Sequence, residues 1–147
     1  MSRHERYGTR DLTYSRWHRY ALDDDITMID IDALEYCRRC RMGLALIETA
    51  RDVGQAVKPV TVLKRHAQAA NVLALVILYT PSAEPCACNG NGRIAGCRHG
   101  IDVMRVRQIY PKERRLWTSM QPAEFAGWLH TLHLNHRRSV CESWGAA

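Results

Sequence analysis

Apolar and polar positions alternate with period two in two short runs of this chain. They are Met28-Ile29-Asp30-Ile31-Asp32 and Leu44-Ala45-Leu46-Ile47-Glu48-Thr49-Ala50, the pattern of strands with one buried face. Residues 38–43 between them are polar and end in Gly43, as a hairpin connection requires. Helical periodicity takes over on either side. Residues 10–22 offer Leu12, Trp17, Tyr20 and Ala21 for a buried side. Residues 60–71 place Leu63, Ala67 and Ala70 together, with Lys64, Arg65 and Gln68 elsewhere and Asn71 closing the helix. The apolar run 72–79 reads as a fully buried strand. Residues 101–110 resume alternation, Met104 and Val106 on one face and Arg105 and Arg107 on the other. A last helix opens at Pro122 and carries Phe125, Trp128, Leu129 and Leu132 at i, i+3, i+4 and i+7. The order is helix, hairpin, helix, strand, strand, helix. It predicts an α/β fold, a mixed central sheet flanked by helices. Strand 72–79 is expected parallel to 44–50, through a right-handed crossover.

A length of 147 residues implies one domain, 1–147, large enough to bury a core. The 46% hydrophobic and 24% charged fractions are those of an ordinary globular protein. No apolar run is long enough to span a bilayer, and residues 1–6 do not lead into the apolar stretch of a signal peptide. The expectation is a cytoplasmic protein without a membrane partner, in which six cysteines serve as metal ligands or free thiols rather than disulfides. The net charge of +6 rests mostly on arginine, since Lys58, Lys64 and Lys112 are the only lysines. Arginine suits bidentate contact with phosphate.

A hairpin turn centred near Cys40 sets Asp32 across from Glu48 and Asp30 across from Ala50. Opposed side chains lie close on one face of a sheet. Two carboxylates there repel unless a cation joins them, and Mg2+ or Mn2+ is the usual solution. The competing account has both acids facing solvent. Glu35 falls on the opposite face from Asp32 and is not expected to join them.

On these residues the chain resembles the PD-(D/E)XK nuclease superfamily, which places an Asp on one strand and Glu-x-Lys on the next, followed by a helix and a further strand. The matching positions are Asp32 (or Asp30) and Glu48-Thr49-Ala50, and the resemblance covers roughly residues 10–80. It implies metal-dependent hydrolysis of a DNA phosphodiester, with Asp32, Glu48 and Asp30 as ligands to Mg2+ or Mn2+. The chain departs from the pattern at Ala50, where the family has its lysine. Lys64, reaching over from the following helix, or Arg51, turned back by a loop, would replace it. Gln55 stands where some members carry a supporting glutamine, and His18 on the first helix could approach the site.

Residues 81–100 break the periodic pattern and form a Cys/His-rich insertion. Cys86, Cys88, Cys97 and His99 suit tetrahedral Zn2+, which would organise a segment too poor in apolar residues to fold alone. Cys37-Arg38-Arg39-Cys40 is a separate C-x-x-C at the hairpin tip, a half-site lacking its second half. The strand ending at Tyr79 points away from that tip, so joint ligation with Cys86 is the second choice. Cys141 stands alone. His130, His133 and His136 recur every three residues on the last helix, and a solvated face accounts for them. Arg105, Arg107, Arg114 and Arg115, with Arg51, form a basic surface for nucleic acid or a solvated face. Three functions follow: a metal-dependent nuclease on DNA, an inactive nucleic-acid-binding relative, or an adaptor of viral origin that meets a host protein. Oligomeric state has no sequence signal here.

Overall fold

The computed structural model describes residues 13–23, 25, 31–56, 58–83 and 100–141. The chain divides into two compact units, Met1–Asp30 and Ile31–Ala147. In the first, helix α1 (Thr13–Ala21) sets the Tyr14 ring at a tilt to Trp17 and His18, with ring centroids 5.6 and 6.3 Å apart. Trp17 and Tyr20, expected on a buried side, are exposed.

The second unit is built on a five-stranded mixed sheet in the order β1 (Ala33–Tyr36), β2 (Gly43–Arg51), β3 (Leu73–Pro81), β4 (Ile101–Tyr110), β5 (Thr118–Met120). β1 and β2 are antiparallel, β2 and β3 parallel, and the remaining neighbours antiparallel. The first strand lies later than the 28–32 run suggests, and residues 26–30 fall outside the described ones. Its register nonetheless matches: Ala33 pairs Ile47, Leu34 pairs Leu46 and Glu35 pairs Ala45. Continued by one residue, that register sets Asp32 level with Glu48. Gly43 admits Leu34, since a Cβ there would lie 3.1 Å from the leucine Cδ1.

Helix α2 (Thr61–Ala70) connects the parallel pair. It ends at Asn71 in the left-handed conformation, φ 52°, which asparagine tolerates better than most residues. Helix α3 (Pro122–His136) starts with proline in its first turn and a reciprocal capping box between Gln121 and Glu124. A short π-helical turn, Arg137–Cys141, extends it.

The two helices cover opposite faces of the sheet, because side chains alternate across each strand. Ala45, Ile47, Leu75, Ile77 and Val106 bury against Phe125 of α3, with Leu129 and Leu132 alongside. Ala74, Val76 and Ile109 bury against Leu63 and Ala67 of α2, with Leu46 and Trp117 alongside. Strand β5 escaped the periodicity argument, since three residues carry too little pattern. Fifteen residues make α3 about 22 Å long, enough to run from β5 back to the hairpin tip.

Candidate functional site

The β1–β2 hairpin carries chemistry at both ends. At its open end the Asp32 carboxylate accepts hydrogen bonds from the Thr49 backbone N–H (2.7 Å) and hydroxyl (2.9 Å). Asp32 thus replaces the ladder beyond Ala33 with a side-chain clamp on β2. Glu48, on the α2 face of β2, is mostly buried and paired through Oε1 with Lys58 Nζ at 2.7 Å. The same ammonium donates to the Thr49 carbonyl, also at 2.7 Å. Lys58 thus joins Glu48 to the Thr49 carbonyl, while Asp32 is held separately by the Thr49 N–H and hydroxyl.

Lys58 was missed because it sits in a loop, where no periodicity marks it. The two expected substitutes for the motif lysine are elsewhere. Lys64 is tied to Glu113 at 2.7 Å and lowers that carboxyl's pKa from its ordinary value. Arg51 is exposed at the end of β2. Gln55 braces the turn that follows: its amide donates to the Arg51 carbonyl and its oxygen accepts from the Val53 N–H.

Arg105 and Arg107 do stand on the face opposite Met104 and Val106, but that face is covered. Arg105 makes a two-point pair with Asp52 (2.6 and 2.8 Å) and reaches the Gln55 carbonyl. Arg105 holds the Asp52 carboxyl well below the usual carboxylate range, at about 2, helped by the Gly54 N–H. Both guanidinium groups lie 5.2 Å from the Trp117 ring centre, a cation–π arrangement. These two arginines anchor the Trp117 region to the sheet and do not form an open strip with Arg114 and Arg115, which are exposed.

At the hairpin tip the structure joins groups that the sequence kept apart. Cys37 and Cys40 come from the turn, His136 from the last residue of α3, and Cys141 from the end of the π turn. Their ligand atoms all lie within 4.8 Å of one another, the one cluster of this kind among the described residues. Cys37 Sγ is 3.8 Å from Cys141 Sγ, and Cys40 Sγ is 3.1 Å from His136 Nε2. Cys37 and Cys141 are buried beside Leu44, with Leu132 against them. The turn that presents Cys37 is closed by Cys37 N–H to the Met42 carbonyl and Arg41 N–H to the Cys37 carbonyl, both 2.8 Å. Arg41 takes a positive φ of 68° to make it. Backbone N–H groups of Cys40 and then Arg39 lower the Cys37 thiol to about 6, against its burial. Burial raises Cys141 to about 11.

These four residues could form a zinc-type site. The solvated reading holds for His130, which is exposed, and is corrected for the other two α3 histidines: His136 meets Cys40, and His133 meets Glu35 at 2.9 Å. Cys141 is not alone. The signal missed was the i→i+5 spacing from His136, which an α-helix would turn about 140° away but a π turn brings back to one side. Cys86, Cys88, Cys97, His99 and Asp30 lie outside the described residues. The insertion's base is described: Ser82 N–H donates to the Gly100 carbonyl, and Pro81 pairs Ile101 at the end of β3 away from the tip.

The chain was compared with protein-family models, with curated proteins and with solved structures. None matches. Among the described residues, no helix is long and apolar enough to cross a membrane.

Proposed function

We propose that the protein is a metal-dependent, nuclease-like domain that hydrolyses DNA phosphodiesters at the open end of the β1–β2 hairpin. The observation that supports this is the Lys58 ammonium on Glu48, beside the Asp32 clamp. It supplies a cation beside Glu48 in a chain that carries Ala50 where the resemblance would place a lysine.

In this reading Asp32 and Glu48 would hold a hard divalent ion. Asp32 is held through Oδ2 and Glu48 through Oε1, so in this reading Asp32 Oδ1 and Glu48 Oε2 would be the ligand atoms. Mg2+ is commonly held by one or two carboxylates plus water and substrate phosphate. Bound there, it would polarise the phosphate and acidify a water. The protein's own contribution is positional. Thr49 fixes Asp32, β2 fixes Glu48, and Lys58 offers positive charge where negative charge develops on the phosphate. Exposed Arg51, Arg114 and Arg115 supply phosphate contacts.

Ala50 also favours a second reading, an inactive relative that binds nucleic acid without cutting it. One assay separates them: supercoiled and single-stranded DNA incubated with the protein and Mg2+ or Mn2+, beside Glu48→Ala. Metal-dependent cleavage abolished by the substitution is expected. Cleavage absent from every substrate, or unchanged by Glu48→Ala, rejects the nuclease reading. Binding that weakens steeply with salt would then favour the second.

A further inference from the structure

We propose that Cys37, Cys40, His136 and Cys141 bind one Zn2+ in a closed, four-ligand structural centre that staples the end of α3 to the tip of the β1–β2 hairpin. The proposal is independent of the nuclease reading, since it uses none of Asp32, Glu48 or Lys58.

The donor set is the first argument. Three thiolates and an imidazole form a soft, tetrahedral combination that selects zinc over the hard cations suited to carboxylates. Geometry is the second. Zinc–sulfur bonds of about 2.3 Å give a tetrahedron with sulfur–sulfur edges of about 3.8 Å. Cys37 and Cys141 already stand at 3.8 Å, far beyond disulfide bonding distance. The immediate surroundings are the third. The turn is closed by hydrogen bonds from the Cys37 N–H to the Met42 carbonyl and from the Arg41 N–H to the Cys37 carbonyl, so Cys37 and Cys40 are presented together from a fixed backbone.

Local architecture explains why the site is structural. Four protein ligands fill a tetrahedron and leave no position for water or substrate. The apolar cluster at the tip is small: Cys37, Leu44 and Cys141, with Cys40 and Leu132 packed against it. Metal ligation supplies the cohesion that so few apolar groups cannot. The π turn has a role in this arrangement. It carries Cys141 back to the side of the helix on which His136 ends, so the two ligands from this element reach the two from the turn.

The test uses the purified full-length chain. Elemental analysis is expected to find zinc bound, with one equivalent lost in Cys141→Ser and retained in His136→Cys, which keeps a four-ligand set. Alkylation mapped by mass spectrometry supplies a readout that needs no variant. Cys37, Cys40 and Cys141 of the wild type should react at least tenfold faster after chelator treatment than before. Folded wild-type protein without zinc overturns the proposal, as does Cys141→Ser with an undiminished zinc content. If Cys141→Ser does not fold, the wild-type alkylation decides: equal reactivity of the three thiols before and after chelation overturns it. Zinc lost only on Cys97→Ser would place the metal in the 81–100 insertion instead and equally overturns it.

Discussion

The two ends of one hairpin are built on opposite principles. At the tip, four ligand atoms gather within 4.8 Å, with Cys37 and Cys141 buried. At the open end, two carboxylates are held individually, Asp32 by Thr49 and Glu48 by Lys58. Glu48 lies five residues along β2 from Gly43, roughly 17 Å of strand. The tip cluster offers soft donors and draws on elements nearly 100 positions apart in the chain, since Cys40 and His136 are separated by 96 residues. The open end draws on residues much nearer in sequence, Asp32 with Thr49 and Glu48 with Lys58. A closed site adds stability, whereas an open one leaves room for a reacting group. The hairpin therefore joins a candidate metal-binding end to a candidate reactive end through one short ladder.

That contrast yields a set of breakable expectations. The largest concerns the tip. Free zinc at about a thousand times its Kd adds about 4 kcal/mol to folding, which for a chain of this size is roughly 8–16 °C in melting temperature. Chelation of the wild type should lower the melting temperature by about that much, and Cys141→Ser should melt at the chelated value whether or not chelator is present. A melting curve indifferent to chelator would erase the contrast.

At the open end the expected loss is in rate rather than in stability. Lys58→Met should reduce DNA cleavage by about 100- to 1000-fold, the usual effect of deleting one group that stabilises developing charge. Lys64→Met, which breaks only the pair with Glu113, should leave cleavage within a few-fold of wild type. Equal losses in the two variants would remove the special position given to Lys58.

Acid should distinguish the sheet's covered arginine from both ends. The Asp52 carboxyl titrates near 2 when folded, against about 3.8 ordinarily. Its contribution is therefore complete above about pH 4 and disappears as pH falls through about 2. Asp52→Asn should be less stable than wild type at neutral pH, and the difference should shrink as pH falls through that window. A difference that grows on acidification would contradict the Arg105 pairing. The smallest effect is expected from Glu35→Gln, which removes a partly exposed partner of His133. It should cost below about 1 kcal/mol in denaturant unfolding and leave zinc content intact.

Much of the scaffold was readable because it repeats. Period-two alternation placed β2 and β4, the apolar run placed β3, and the register of the hairpin followed from its turn. Asn71 and Pro122 marked helix ends for local steric reasons that need no partner. Arg105 and Arg107 were correctly assigned to one face, yet alternation says which face, not what lies on it. Trp117 and Asp52 cover them, and both come from segments without periodicity. Lys58 was hidden for the same reason.

Local pattern alone sets the order of the longer elements, the parallel pairing of β2 with β3, and the register that puts Asp32 level with Glu48. Each follows from steric preferences and side-chain alternation between near neighbours. Only the tertiary structure decided the partners of Cys37 and Cys40. It required α3 to cross the sheet from β5 and a π turn to re-aim Cys141. Meetings of that kind depend on helix length, packing direction and local winding together, and no spacing along the chain encodes them separately.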